Sequence, residues 1–568
     1  MVRVGGSGTD PNDNNRYGAV PSDVGLVLYR EVPGIPAATS TDVTRIKISD
    51  KYKVEVCLSG TNNWQKVTAY QTGSQATVNQ DITDSTKLNK GYYGHLKNWT
   101  HTYVNFEVQY GVSVDVKITS LSNDPLDPLY SINPNSSKAH PNNSAYNIRR
   151  FNQDTKSIVL TFTDPKLFAV DINGQMDNHH TGKGYTGLPI HTISIFANPV
   201  LSKPSAPSTQ NILKAMSDGF VGALMRVPVN GKLIFAPGIH YIGNGVELLR
   251  GNRDYYIPGD AIVYGTLKCG SYAQPDPNPN AITIFGYGTL SASRVTHPSY
   301  TTPPDSKIEN YRPIDFVYSD NCHVNGITIV DAPQLSVSLQ GEFKGASISI
   351  GNTVRWVKTL NWRENSDGID PGDNTKIENC FLRCQDDTIP TMGGRGIDRV
   401  VLWNDANGKS FITNVNGPRR DLTISNCTVI YARGIFEAGG GQVFALNQDQ
   451  KPTRRKNPPA KVTFNDITIE DRFPTKTVLY LKWTTAQDTD PSVTEDCSFV
   501  GTTFNRLTIA NPMGQVQMEK LTLIGGGSRT QIRDFTFRTL KVGSDPNPVT
   551  SLGFFNISND TTNLMLIP

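Results

Sequence analysis

Between residues 51 and 200 apolar and polar positions alternate in short runs. KYKVEVCLSGTNNWQKVTAYQT (51 to 72) alternates on both sides of a GTNN turn, and HTYVNFEVQYGVSVDVKITSL (101 to 121) repeats the pattern. SIVLTFTD, LFAVDING and HTISIFANPV (191 to 200) continue it. A period of two marks strands with one buried face, so an antiparallel β-sandwich domain is predicted over 16–200. The preceding residues 1–15, MVRVGGSGTDPNDNN, are rich in Gly, Ser and Asn and lack the apolar core of a signal peptide, which predicts a flexible lead-in.

The pattern changes after LSKPSAPSTQN (201–211), whose Pro and Ser content predicts a linker. From 212 to 568 short apolar runs recur at irregular spacing, many with Asn at a corner. Examples are HVNGITIVDAP (323 to 333), TKIENCFL (375 to 382), RDLTISNCTVIYA (420 to 432), KVTFNDITIED (461 to 471) and TTFNRLTIAN (502 to 511). Such strand-corner-strand units cannot bury their apolar side alone, and stacking them into a solenoid does so. The predicted class is therefore all-β, with a parallel β-helix after the sandwich. A jelly roll or a second sandwich is the competing architecture.

Composition agrees with many short strands and turns: Gly (49) and Pro (36) are plentiful, and charged residues make up 18%. A net charge of +3 selects no partner. No apolar run reaches the length of a membrane span. The basic run KPTRRKNPPAK (451 to 461) lacks the aromatic interleaving that single-stranded nucleic acid requires, so neither nucleic acid nor membrane is expected as a partner. The seven cysteines are scattered, without paired zinc-ligand spacing, and read as small buried residues. No metal and no cofactor is expected.

The chemistry concentrates in NSDGIDPGDNTKIENCFLRCQDD (365 to 387), where Asp367 precedes Asp386 and Asp387 by 19 and 20 residues. With a coil of about 20 residues or a little more, residues one coil apart stack on neighbouring strands about 4.8 Å apart. Three carboxylates then share one patch. Because they cannot all ionise easily, one is held protonated and serves as an acid. Hydrolysis of a glycosidic bond needs that acid and a carboxylate that activates water. Adjacent residues of a regular strand face opposite ways, so the pair predicts irregular backbone at 386 to 389. The 245 residues after His323 contain no histidine, which excludes a Ser-His-Asp or Cys-His site in that half. No HExxH, GxxxxGK[ST] or GxGxxG motif is present.

The NSDGID and QDD motifs resemble those of polysaccharide hydrolases built on a right-handed parallel β-helix, the clan of the polygalacturonases and of glycoside hydrolase family 49 (dextranases and isopullulanase). The shorter spacing of the acids, and the absence of a following Gly-His-Gly, point to family 49. KYKVEVCLSGTNNWQKVTAY, SIFANPVLS, KLIFAPGIHYIG, IPGDAIVYGTL, IFGYGTLSA and RVVLWNDANGKSF resemble further segments of that family, so the resemblance spans about residues 51 to 433. It implies an inverting endo-hydrolase of an α-glucan such as dextran; a secreted protein that acts as a monomer is expected. Asp386 would be the general acid, and Asp367 and Asp387 would activate water. The departures lie in the surroundings: Asp370 follows DG where the dextranases carry Glu, and Pro390, Thr391 and Met392 replace an expected Lys and paired Tyr. Asp370, Trp403, Arg433 and Lys482 are the candidate substrate-binding residues. Trp356, Trp362 and Trp403 would either stack on sugars or pack in the core. An anionic polysaccharide is the alternative substrate, a non-catalytic carbohydrate-binding β-helix the alternative outside hydrolysis, and a lyase a third reading of the same scaffold.

Overall fold

A computed structural model describes the chain outside residues 1, 5–24, 43–44, 74–99, 142–145, 153, 175–189, 202–211, 214–226, 250, 271–279, 296–311, 318, 340–350, 364–365, 373–374, 391–394, 406–408, 414–420, 433–441, 447–460, 471–476, 483–498, 511–520, 525–530 and 544. Apart from Leu201, the expected linker thus lies outside the described residues. Within the expected lead-in, Val2–Val4 pairs antiparallel with Leu26–Leu28.

The first part of the chain folds into two sheets that share one core. Tyr52–Leu58, Gln65–Val67, Ser113–Ser120, Asn147–Arg150 and Ser157–Thr163 form an antiparallel sheet. The facing sheet contains Leu26–Leu28, Tyr70–Gly73, Thr100–Val108, Lys166–Asp171 and His191–Pro199. The inward residues of both, such as Val54, Val116 and Leu160 against Val104, Phe168 and Ile195, pack as one buried cluster. One pairing departs from the antiparallel expectation: His191–Pro199 runs parallel to Thr100–Val108 over nine residue pairs. The long connection between those two strands lets the second re-enter the sheet in the same direction.

From Ile212 onward every described strand pairing is parallel, and each coil contributes strands to separate ladders. One ladder runs through His323–Asn325, Thr353–Arg355, Lys376–Glu378 and Gly396–Asp398. The next runs through Thr289–Ser291, Thr328–Val330, Lys358–Leu360, Phe381–Cys384 and Val401–Asn404. A third takes Ile314–Phe316, Val337–Ser338 and Ile369–Asp370. This is a parallel β-helix, and its interior is a single apolar stack. Phe464, Phe504 and Phe537 stack face to face along the axis, with centroids 4.5 and 4.8 Å apart, close to the strand spacing itself.

The corners between the first two ladders turn on one residue of left-handed conformation per coil. Gly326, Trp356, Asn379, Arg399, Asn426, Asp466 and Arg506 all have φ between 52° and 86°. Asn and Gly enter this region at low cost, which accounts for Asn379, Asn426 and Gly326; in HVNG, FND and FNR the Asn is the strand residue just before the left-handed one. The six described cysteines are buried, and five of them lie in the β-helix stack.

The sandwich packs against the β-helix through a second apolar cluster. Tyr70, Tyr103, Leu167 and Phe196 meet Ile262, Tyr264, Val330, Leu360, Phe381, Trp403 and Tyr431. Polar contacts cross the same seam, including Asn105 Nδ2 to Thr328 Oγ1 at 3.2 Å and Lys358 Nζ to Asn198 Oδ1 at 2.9 Å.

Candidate active site

Asp367, Asp386 and Asp387 come together on adjacent coils. Gly368 N donates to Asp387 O at 2.8 Å and Ile369 N to Thr388 O at 3.1 Å. The 20-residue step between the acids is therefore one turn of the solenoid. A Cβ on Gly368 would lie 2.2 Å from Thr388 O and 3.1 Å from Cys384 Sγ, so the glycine of the DG motif is what lets the two acid-bearing segments touch.

Each acid is positioned by its surroundings. The turn leading into Asp367 is pinned by Arg363, whose guanidinium is buried against Ser293 O at 2.7 Å and Asp331 Oδ2 at 3.3 Å. On the far side, Ser336 donates its amide (3.0 Å) and its hydroxyl (2.8 Å) to Asp367 O.

At the pair, regular strand ends with Cys384, and ladder pairing resumes at Ile389, which bridges Phe411. The intervening residues bend, as adjacent carboxylates serving one patch require. Asn404 Nδ2 donates to Asp386 O at 2.6 Å, Asp387 N to Asp386 Oδ1 at 2.9 Å, and Lys409 N to Asp387 Oδ1 at 2.7 Å. Asp386 is buried, and Asp367 and Asp387 keep a partial opening to solvent.

Burial raises the Asp367 carboxyl well above the usual carboxylate range, and the charges of Asp386, Asp387 and Asp370 push it further, against a smaller opposing pull from Arg312. Asp387 is raised to about 7 by burial and by Asp386, with Lys409 opposing. Like charges that close cannot all ionise, so the patch as a unit retains a proton near neutral pH.

The expected substrate-binding residues separate. Asp370 is buried on the rung formed with Ser338 and acts electrostatically on Asp367. Trp403 is fully buried. Its Nε1 donates to Asp405 Oδ1 at 2.7 Å, and its ring packs on Arg383, His101 and Tyr431. It cannot stack on a sugar, because the sandwich covers it. Trp356 and Trp362 are likewise buried, so for all three tryptophans core packing is the observed role. Arg433 lies outside the described residues. Lys482 ends the strand Thr477–Lys482, and its side chain lies outside them too.

Two cations near the acids were not singled out from sequence. Arg312 Nη1 reaches Ser338 Oγ at 3.0 Å and Asp315 Oδ1 at 3.5 Å. Lys409 is half-buried beside Asp387. The coil interval that links Asp367 to Asp387 carries on from Asp387 to Lys409, which is the signal that would have found it. Among the described residues no group of three or more His, Cys, Asp or Glu side chains could hold a metal ion, and no helix is long and apolar enough to cross a membrane.

Fold and site together define a class: a parallel β-helix with an N-terminal sandwich and a patch of three carboxylates on consecutive coils. Among solved structures, Dex49A from Penicillium minioluteum has this fold, with a TM-score of 0.69 over 95% of this chain and 98% of that chain. The two sequences are 16% identical, so the likeness is one of fold. A family 28 exopolygalacturonase from Yersinia enterocolitica matches at a TM-score of 0.40 and 11% identity, over 79% of this chain and 96% of that one. The catalytic unit of a GH87 α-1,3-glucanase from Streptomyces thermodiastaticus matches at 0.42 and 11%, over 92% and 85%. No protein-family model and no curated protein matches the sequence.

Proposed function

We propose that this protein is a secreted, monomeric glycoside hydrolase that cuts internal bonds of an α-glucan such as dextran with inversion. The observation that carries the reading is the carboxylate patch: three Asp on adjacent coils, with Asp367 raised by burial and by the charges of Asp386, Asp387 and Asp370, and Asp387 raised by burial and by Asp386. Such a patch holds a proton for the leaving oxygen and a carboxylate for the attacking water. Asp386 protonates the leaving oxygen, and Asp367 and Asp387 activate the water, an assignment that follows the family resemblance alone; the upward shifts of Asp367 and Asp387 favour a proton on those two and do not select Asp386 as the donor. Asp370, three residues after Asp367 on the same coil, is offered as a substrate contact. Arg433 and Lys482 are kept as candidates on the sequence alone. The direct test is proton NMR of the first product formed from dextran. Inverted anomer is expected, and retained anomer or no cleavage would overturn the reading.

Hydrolysis of an anionic polysaccharide is the second reading, favoured by Lys409 beside Asp387 and Arg312 within electrostatic reach of Asp367. Reducing-sugar release from a panel of neutral, uronate and sulfated polymers separates the two.

A further inference from the structure

Arg383 occupies an unusual place for a guanidinium. It lies two residues before the bend that carries Asp386, and it is wholly buried. Its guanidinium carbon is 4.2 Å from the ring centroids of both Trp362 and Trp403. Asp405, also fully buried, receives Nε at 2.8 Å and Nη2 at 3.3 Å. The remaining nitrogen, Nη1, meets Nδ1 of His101, a residue of the sandwich strand Thr100–Val108.

The imidazole has one consistent protonation state. Burial, then the charge of Arg383, holds it well below its ordinary pKa, so it is neutral. Nδ1 accepts from the guanidinium, and Nε2–H donates to Ser194 Oγ at 2.8 Å.

The network continues directly into the acid pair. Asp405 N donates to Cys384 O at 2.8 Å, and Asn404, the preceding residue, donates to Asp386 O at 2.6 Å. A carboxylate clamped on Arg383 thus belongs to the segment that holds the backbone of Asp386 in place.

We propose that the sandwich is a working part of the active site, with His101 a positioning residue that fixes Asp386 through Arg383 and Asp405. The inference rests on the hydrolase reading and goes beyond it by giving the N-terminal domain a role in turnover rather than in polymer capture. A displacement of about 1 Å at a catalytic group costs on the order of 100-fold in rate, and residues that lock such a group act through turnover more than through binding.

The test uses the full chain and the polymer that the wild type cleaves. His101→Leu keeps bulk but removes the acceptor, and His101→Asn keeps an acceptor near Nδ1. Asn105→Ala cuts a different crossing from the same sandwich strand, to Thr328. We expect His101→Leu to lower kcat about 100-fold with KM within about twofold, and to speed hydrogen exchange at the Asp387 and Asp405 amides. His101→Asn should recover most of the loss, and Asn105→Ala should stay near wild type. Wild-type turnover and exchange in His101→Leu would overturn the proposal. So would an Asn105→Ala defect of the same size at the same loss of melting temperature.

If His101→Leu does not fold, Ser194→Ala carries the test by releasing the imidazole from its second partner. A severalfold lower kcat at constant KM supports the proposal, and wild-type kcat overturns it. Asp386→Asn separates the two failures: its full activity would remove the hydrolase reading itself, whereas an inactive Asp386→Asn beside an unaffected His101→Leu removes only the positioning role.

Discussion

Gly368 donates its amide to the carbonyl of Asp387 at 2.8 Å, so the coil that carries the first acid is hydrogen-bonded to the coil that carries the third. A methyl group at Gly368 would meet Thr388 O at 2.2 Å. Backbone cannot yield there without separating the acids. Gly368→Ala is therefore expected to cost about 1–3 kcal/mol of stability and to lower kcat more than its melting temperature alone would suggest. Steady-state kinetics well below the melting transition distinguish the two effects.

The three acids are predicted to be separable by rescue chemistry. Asp367→Asn, Asp386→Asn and Asp387→Asn should each lose about 10²–10⁴-fold in kcat. Asp386→Asn should regain rate on a substrate with an acidic leaving group, since proton donation then matters least. Azide should instead restore turnover to variants lacking a water-activating carboxylate. Azide rescue of Asp386→Asn alone would reverse the assigned roles.

The raised carboxyls also make a stability prediction. Burial and the charge of Asp386 push the Asp387 carboxyl up to about 7 in the folded chain, so between the ordinary carboxylate range and that value the folded state binds more protons than the unfolded one. Its contribution to stability is present below about pH 4 and is lost as the pH rises through 7. Asp367 shifts in the same direction. Asp387→Asn should accordingly melt higher than wild type at pH 8 and close to it at pH 4, while being inactive at both. Calorimetry across that range checks the sign.

A second linkage sits at the domain seam. His140 of the sandwich lies 3.1 Å from Asp171 and 3.4 Å from Glu470 of the β-helix, and Tyr431 also bonds Asp171. Burial alone would lower the imidazole, but the two carboxylates win and raise it to about 9. That stabilisation is complete below about pH 6.5 and disappears as the pH climbs through 9. Melting curves of wild type and His140→Gln should differ most near pH 6 and converge near pH 10.

How much of this was legible in the sequence depends on how local each relationship is. The meeting of Asp367 with Asp387 could be read because the coil between them is short and uninterrupted. No wider period could be read, because the stacked residues Ile329, Thr359, Leu382 and Leu402 are spaced 30, 23 and 20 residues apart. Insertions leave a rung intact and change only the loop. The bend at the acid pair followed from strand geometry alone. The fate of Trp403 did not, since the surface that covers it includes His101, some 300 residues earlier. Nor did Arg383, whose partners come from both domains.

Trp403 provides the last prediction. Its ring fills the seam between Arg383, His101 and Tyr431, with the Tyr431 centroid 4.6 Å away, and its indole N–H is one of the donors that hold Asp405. Trp403→Phe retains an aromatic face for the guanidinium but leaves a void and deprives Asp405 of a hydrogen bond. A loss of roughly 2–4 kcal/mol is expected, read as a lower melting temperature. A sugar-stacking tryptophan would behave differently: its substitution would raise KM for the polymer and leave melting nearly unchanged. Because Asp405 also supports the segment beside Asp386, a modest fall in kcat should accompany the loss of stability. KM should hold.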